Sequence, residues 1–177
     1  MTRPGSSPIS RSKAGSGRAA APGWWFEDAV PGAILRHRGG RTVADADHVW
    51  LAWLTNNASD VHGNAHTAQV GEFGRPVVLG ALTVAIVVGL ARPAEGAAAR
   101  TGRRASRGWS SIRLRGPVFA GDTLYAESAV HAAKAEWEGG GTVGRTIRGF
   151  NQRGETVVEI DEEIEAPSLG LGGTKDC

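Results

Sequence analysis

Cysteine is almost missing from this 177-residue chain: the one present is Cys177, at the end. A single thiol excludes an intramolecular disulfide framework and a multi-cysteine zinc site, and it fits a reducing compartment, the cytoplasm. Long apolar runs are missing as well. The longest, Val77 to Leu90, has 14 residues, short of the ~20 that a bilayer-spanning helix needs, so no membrane span is expected. Three catalytic signatures are absent: the GxSxG elbow of serine hydrolases, the GxxxxGK[ST] phosphate loop, and HExxH. The sequence does hold His62-Gly-Asn-Ala-His66, but no glutamate stands between the histidines. Two histidines alone do not define a zinc site, and no metal is expected.

Acids are absent from residues 1–23, which carry Arg3, Arg11, Lys13 and Arg18. Removing these four from 20 basic residues leaves 16 against 18 acids, so the body is mildly acidic although the whole chain is +2. A nucleic-acid binder carries its positive charge on the folded body, and no such partner is expected here. Residues 1–23 are rich in Ser, Gly, Ala and Pro and lack the apolar core of a secretory signal; they read as a disordered tail. Residues 167–177 read as a frayed end. Between them, residues 24–166 contain neither an internal repeat nor a linker, which implies one domain.

Within that domain the hydrophobic period changes once. Over DADHVWLAWLTNN, residues Val49, Trp50, Trp53 and Leu54 recur at helical spacing, with Thr42 or Asp45 as the cap. The tryptophans Trp24, Trp25, Trp50, Trp53 and Trp109 are expected in the core, or narrowing a pocket. The run VVLGALTVAIVVGL is apolar nearly all round and is expected to be a buried helix. Beyond it come four extended segments, GWSSIRLRG, TLYAESAVHAAKAEW, TVGRTIRGFNQ and ETVVEIDEEIEA. Val143, Arg145 and Ile147 alternate in the third, and Val158, Ile160 and Ile164 alternate with Glu159, Asp161 and Glu163 in the fourth. Asn151-Gln152-Arg153-Gly154 supplies a hairpin turn between them. The expected class is α+β, a long hydrophobic helix wrapped by an antiparallel sheet.

The chemistry concentrates between Leu54 and Leu90: a helix end, a polar loop with His62, a Gly-Arg-Pro turn, then the buried helix opening at Gly80. Such a layout brings a base close to free helix N-terminal amides, which carbonyl chemistry requires. Thr55, His62, Ala68, Glu72-Phe73-Gly74-Arg75-Pro76, Gly80, Leu82 and Thr83 stand in the order found in MaoC-like dehydratases, the R-specific enoyl-CoA hydratases of the hotdog fold. Pro117-Val118-Phe119 and Gly121-Asp122-Thr123-Leu124 extend the resemblance, which covers about residues 24–165 and is similar in flavour to the mesaconyl-CoA hydratases.

The resemblance implies a single hotdog domain, paired as a homodimer or higher homo-oligomer, that adds or removes water on a 2-enoyl thioester. Coenzyme A or carrier-protein phosphopantetheine is then part of the substrate, and no cofactor is needed. The family's aspartate falls on Asn57, its asparagine on Ser59 and its proline on Asp60, while the histidine is kept as His62. His62 would be the general base, since an imidazole titrates near working pH. Asn57 would orient the water, and Asp60 would supply the acid if the loop redirects its side chain. Gly80, with Ser59, Val78 and Leu79, would bind the thioester oxygen and its surroundings, where one backbone donor is worth ~3 kcal/mol. Arg100, Arg103, Arg104 and Arg107 are candidate contacts for phosphates. Two other outcomes fit the same residues: a hotdog thioesterase, and an acyl-binding or dimerisation partner with impaired catalysis.

Overall fold

The computed structural model describes residues 25–92 and 105–168. The expectations for residues 1–23 and 169–177, and for Trp24, Arg100, Arg103 and Arg104, lie outside them. The helices are α1 (Asp45–Leu54), α2 (Asp60–Gly63), α3 (Ala65–Gln69) and α4 (Gly80–Leu90). The strands are β1 (Ile34–Arg36), β2 (Arg41–Thr42), β3 (Ser106–Leu114), β4 (Thr123–Trp137), β5 (Gly140–Phe150) and β6 (Thr156–Pro167). The sheet is antiparallel in the order β1-β4-β5-β6-β3, with β2 also pairing β4. All four extended segments read from the sequence are strands, and Gly154, at φ +79°, closes the expected hairpin.

Period-two alternation sorts the sheet into rows running across the strands. Ala126, Gly149, Val158 and Leu114 form one row; Ser128, Ile147, Ile160 and Ile112 form the next. Helix α4 lies on this face, and Val87 comes so close to Gly149 that a Cβ there would collide with its Cγ2. Glycine at this position is what lets the helix reach the sheet. The helix buries Thr83, Ile86, Val87 and Val88. It is not buried all round as its composition implies: Ala81, Ala85 and Gly89 face outward. Small side chains leave that ridge low rather than covered.

The third row is polar: Val130, Arg145, Glu162 and Trp109. Arg145 Nε and Nη2 donate to Glu162 Oε2 at 3.0 and 2.7 Å, and the Trp109 indole donates to Glu162 Oε1 at 3.2 Å. Arg145 Nη1 also reaches the carbonyl of Ala91, the cap residue at the C-terminus of α4, at 3.4 Å. A cation here answers the negative end of the helix dipole and a carbonyl that has no backbone donor among the described residues. His37 continues this network, its Nε2 2.7 Å from Ser128 Oγ.

Burial, and then the Arg145 charge, lower the His37 pKa from 6.5 to about 4. Below pH 6.5 the unfolded chain takes up a proton that the folded chain refuses, so stability is full above that pH and falls as pH drops to about 4. Allowing for solvent screening of a half-buried ring, the loss is about 2 kcal/mol. Urea unfolding at pH 7 and pH 4 checks this: His37→Gln should lose less stability than the wild type over that interval by this amount.

Helix α1 corrects two expectations. Its cap position is Ala44, whose N–H donates to Asp47 Oδ2 at 3.1 Å, and not Thr42 or Asp45. That bond, and next the Arg41 guanidinium 2.6 Å away, hold the Asp47 carboxyl below its ordinary value. The second correction concerns the tryptophans. Trp50 is 62% and Trp53 73% exposed, and Leu54 is 78% exposed, because α1 turns His48 and Ala52 inward instead. Trp109, on edge strand β3, is about half exposed.

Candidate functional site

The site is assembled by three segments that meet at the N-terminus of α4. A sharp turn brings them together. Gly74 takes φ +66°, which favours glycine, and the Arg75 guanidinium lies 3.7 Å from the centre of the Phe119 ring. Phe73 meets the same ring edge-on, and the Val78 N–H donates to the carbonyl of Val118 at 2.8 Å. The Phe-Gly-Arg-Pro motif thus anchors the chain that leads into α4 against Pro117-Val118-Phe119. Asp122, in the next turn, accepts from the Phe119 N–H and from Gln152. Burial pushes its carboxyl up, but the bonds from Gln152 and Phe119 and the Arg153 charge outweigh it, and the net direction is down.

His62 sits on α2, half-buried, with Nδ1 2.7 Å from the carbonyl of Val77. Only a protonated Nδ1 can bond there, so in the neutral ring Nε2 carries the lone pair. In the reverse direction, the Val77 N–H donates to the carbonyl of Val61 at 3.0 Å. The histidine is therefore fixed to the segment that becomes the first turn of α4. At that turn Leu79 is the cap residue and its carbonyl accepts from Leu82 and Thr83. The N–H groups of Gly80 and Ala81 have no protein acceptor among the described residues. A Cβ on Gly80 would meet Leu114 Cδ1 at 2.5 Å, so this glycine also admits the end of β3.

Asn57 lies on the loop between α1 and α2, where its Oδ1 accepts from the Ser59 N–H at 3.1 Å. This Asx turn uses the side-chain carbonyl, and Asn57 lines an adjoining cleft whose walls, among the described residues, include neither His62 nor Gly80. Ala52, Trp53, Asn56, Asn57, Ala58, Ser59, Asp60, Gly63 and Asn64 line that cleft. Ser59 caps α2 and Asp60 is its first residue, exposed. Two residues along a helix rotate the side chain by about 200°, so Asp60 and His62 leave α2 in nearly opposite directions. Val78 and Leu79 are buried, and they frame the helix start through their backbone.

Arg107 is placed elsewhere. Its guanidinium bonds Glu136 Oε2 at 2.8 Å and Thr142 Oγ1 at 2.9 Å, with Glu163 at 3.5 Å. A phosphate there would meet two carboxylates. His62 and His66 are separated by the helix break at Asn64, which caps α3 through its side chain. Among the described residues no three His, Cys, Asp or Glu side chains gather into a metal-binding group, and no helix is long and apolar enough to cross a membrane.

One residue of the site has no signal in the motif. His48, on α1, is 5% exposed, with Nε2 2.6 Å from the carbonyl of His62 and Nδ1 accepting from the Leu79 N–H at 3.3 Å. Its only trace in the sequence is its position four residues before Ala52, on the narrow inner face of the helix.

Residues 27–148 match a family model described as a MaoC like domain. Over 121 residues the chain is 31% identical to beta-methylmalyl-CoA dehydratase of Chloroflexus aurantiacus, covering 66% of this chain and 32% of that protein. The chain thus spans about a third of the length of the curated relative it matches. A monoamine oxidase regulatory protein from Archaeoglobus fulgidus has a similar structure, with TM-score 0.68 and 25% identity over 82% of this chain and 95% of its own. A Mycobacterium tuberculosis protein described as having a double hotdog fold superposes with TM-score 0.65 and 15% identity, over 87% of this chain and 49% of its own. The ordered motifs, the helix laid on an antiparallel sheet and the family match agree: this chain belongs to the MaoC-like domain family and has the hotdog fold.

Proposed function

We propose that this chain is a hydro-lyase that adds water reversibly to a 2-enoyl thioester, with coenzyme A or phosphopantetheine as part of the substrate and no separate cofactor. The observation that carries this reading is that His62 is bonded through Nδ1 to Val77, in the lead-in to α4, whose first two amides, Gly80 and Ala81, have no protein acceptor among the described residues. A thioester oxygen bound to the Gly80 and Ala81 N–H groups receives charge as an enolate forms, at the positive end of the helix. His62 Nε2 takes a proton from water, and the resulting hydroxide adds to C3 of the acyl group. The imidazolium then returns that proton to C2, which completes the addition without a second acid. Asn57 Nδ2 donates to the water and orients it. The match to a dehydratase that acts, by its name, on a CoA thioester supports this class.

We also place a second copy of the chain against edge strand β3. Ile112 and Leu114 are exposed on the face that carries α4, and Leu114 lies against Gly80 at the start of that helix. An unpaired strand edge and an apolar face covered together match a homodimer.

One preparation tests both. Purified protein is mixed with crotonyl-CoA, mesaconyl-CoA and a longer 2-enoyl-CoA, and the conjugated-thioester absorbance is followed. Loss of absorbance without free thiol is the expected result. Release of thiol would replace the reading with the thioesterase, and binding without either signal on CoA or carrier-protein substrates would leave an acyl-binding partner. In sedimentation the same sample is expected at twice the 18.4 kDa chain mass.

A further inference from the structure

We infer that His48 is a positioning residue, which locks the place and tautomer of His62 relative to the amides at the start of α4. The inference rests on the proposed role of His62 as base. It begins with the two bonds of the buried ring. The Leu79 N–H donates to Nδ1, so that nitrogen carries no proton. The proton is then on Nε2, which donates to the His62 carbonyl at 2.6 Å. A neutral imidazole in one tautomer therefore joins α2 to the cap of α4, and a proton added to Nδ1 would set donor against donor.

His62 holds the opposite tautomer, with its proton on Nδ1 and directed to Val77. The two rings meet edge to face, centroids 5.8 Å apart at 69°. Three links consequently tie the base to the helix start: His62 to Val77, Val77 to Val61, and His48 bridging His62 to Leu79. Of these, the His48 bridge alone runs through a third element, α1. Without it the His62 carbonyl and the Leu79 N–H lose their partners together, and α2 can shift along the lead-in to α4. A shift of about 1 Å at a reacting group is enough to cost about 10²-fold in rate. Substrate contacts made by the Gly80 and Ala81 amides are not removed, so binding is spared.

The test compares wild type, His48→Phe and His48→Gln in the full chain. Glutamine presents one N–H and one carbonyl oxygen and can restore both bonds; phenylalanine fills the space and restores neither. With the enoyl-CoA that the wild type hydrates, His48→Phe is expected to lower kcat about 10- to 100-fold with KM within about threefold, and His48→Gln to recover most of that loss. Nitrogen-15 spectra of the imidazoles, recorded without substrate, give a second readout. His62 is expected as the pure Nδ1–H tautomer in wild type and His48→Gln, and as a mixture in His48→Phe. Wild-type kcat in His48→Phe, or a single His62 tautomer in all three proteins, would overturn the proposal. If the wild type hydrates nothing, the proposed function fails, while the spectra still decide the part played by His48. Should His48→Phe not fold, His48→Gln and the wild-type tautomers carry the test: an Nδ1–H tautomer at His48 overturns it.

Discussion

His62→Ala is expected to reduce kcat on the hydrated enoyl-CoA by about 10²- to 10⁴-fold, the usual share of a general base. Binding of a saturated acyl-CoA should stay within about threefold, because the proposed oxyanion donors belong to the backbone. The loss is large because no neighbour can stand in. The Asn57 carbonyl is already bonded to the Ser59 N–H, and its amide neither takes nor gives a proton. Asp60 leaves α2 on the opposite side. Stability should change little, by about 1 kcal/mol for the single bond to the Val77 carbonyl, so urea midpoints separate a catalytic loss from a folding one. Asn57→Ala should cost less than His62→Ala, since it removes the proposed orienting donor and an Asx turn but leaves the proposed base. Stopped absorbance assays of both variants check the ranking, and a His62→Ala protein that still hydrates at the wild-type rate would remove this residue from the mechanism.

How much of this was legible in the sequence differs from element to element. The strands were, since alternation at Val158, Ile160 and Ile164 needs only local phase, and so was the start of α4 at a glycine after an apolar lead-in. The inward face of α1 was not. A hydrophobic stripe records every face that needs covering and does not say by what, and Trp50, Trp53 and Leu54 face outward from this single chain. His62 was placed by the order of motifs around it. Its tautomer depends on Val77, fifteen residues on, and no spacing rule supplies that contact. The buried ion pair did leave a trace. Arg145 is in phase with Val143 and Ile147, and Glu162 with Ile160 and Ile164, so each charge lies on the apolar side of its strand. Opposite charges facing each other across two paired strands are a legible sign of a buried pair.

That pair carries the largest expected effect on stability. Glu162→Ala should destabilise the fold by about 3–5 kcal/mol, a large part of the 5–15 kcal/mol that holds a typical domain. The side chains are 8% and 2% exposed, so removing the carboxylate takes the facing counter-charge from an Arg145 cation that is almost wholly buried. The Trp109 indole loses its acceptor as well. The effect should reach α4, because Arg145 is also what meets the Ala91 carbonyl at the end of that helix. Arg145→Met combined with Glu162→Met separates the worth of the pair from the cost of breaking it. With no charge left to strand, the double variant should be far less destabilised than the sum of Arg145→Met and Glu162→Met measured alone, and its deficit should come mainly from the uncapped Ala91 carbonyl, about 1 kcal/mol. Urea unfolding of the four proteins at pH 7 gives the cycle. Additive losses would mean that the two charges act independently, and a Glu162→Ala protein as stable as wild type would mean that water in the cavity lined by His37, Arg145 and Glu162 takes the place of the carboxylate.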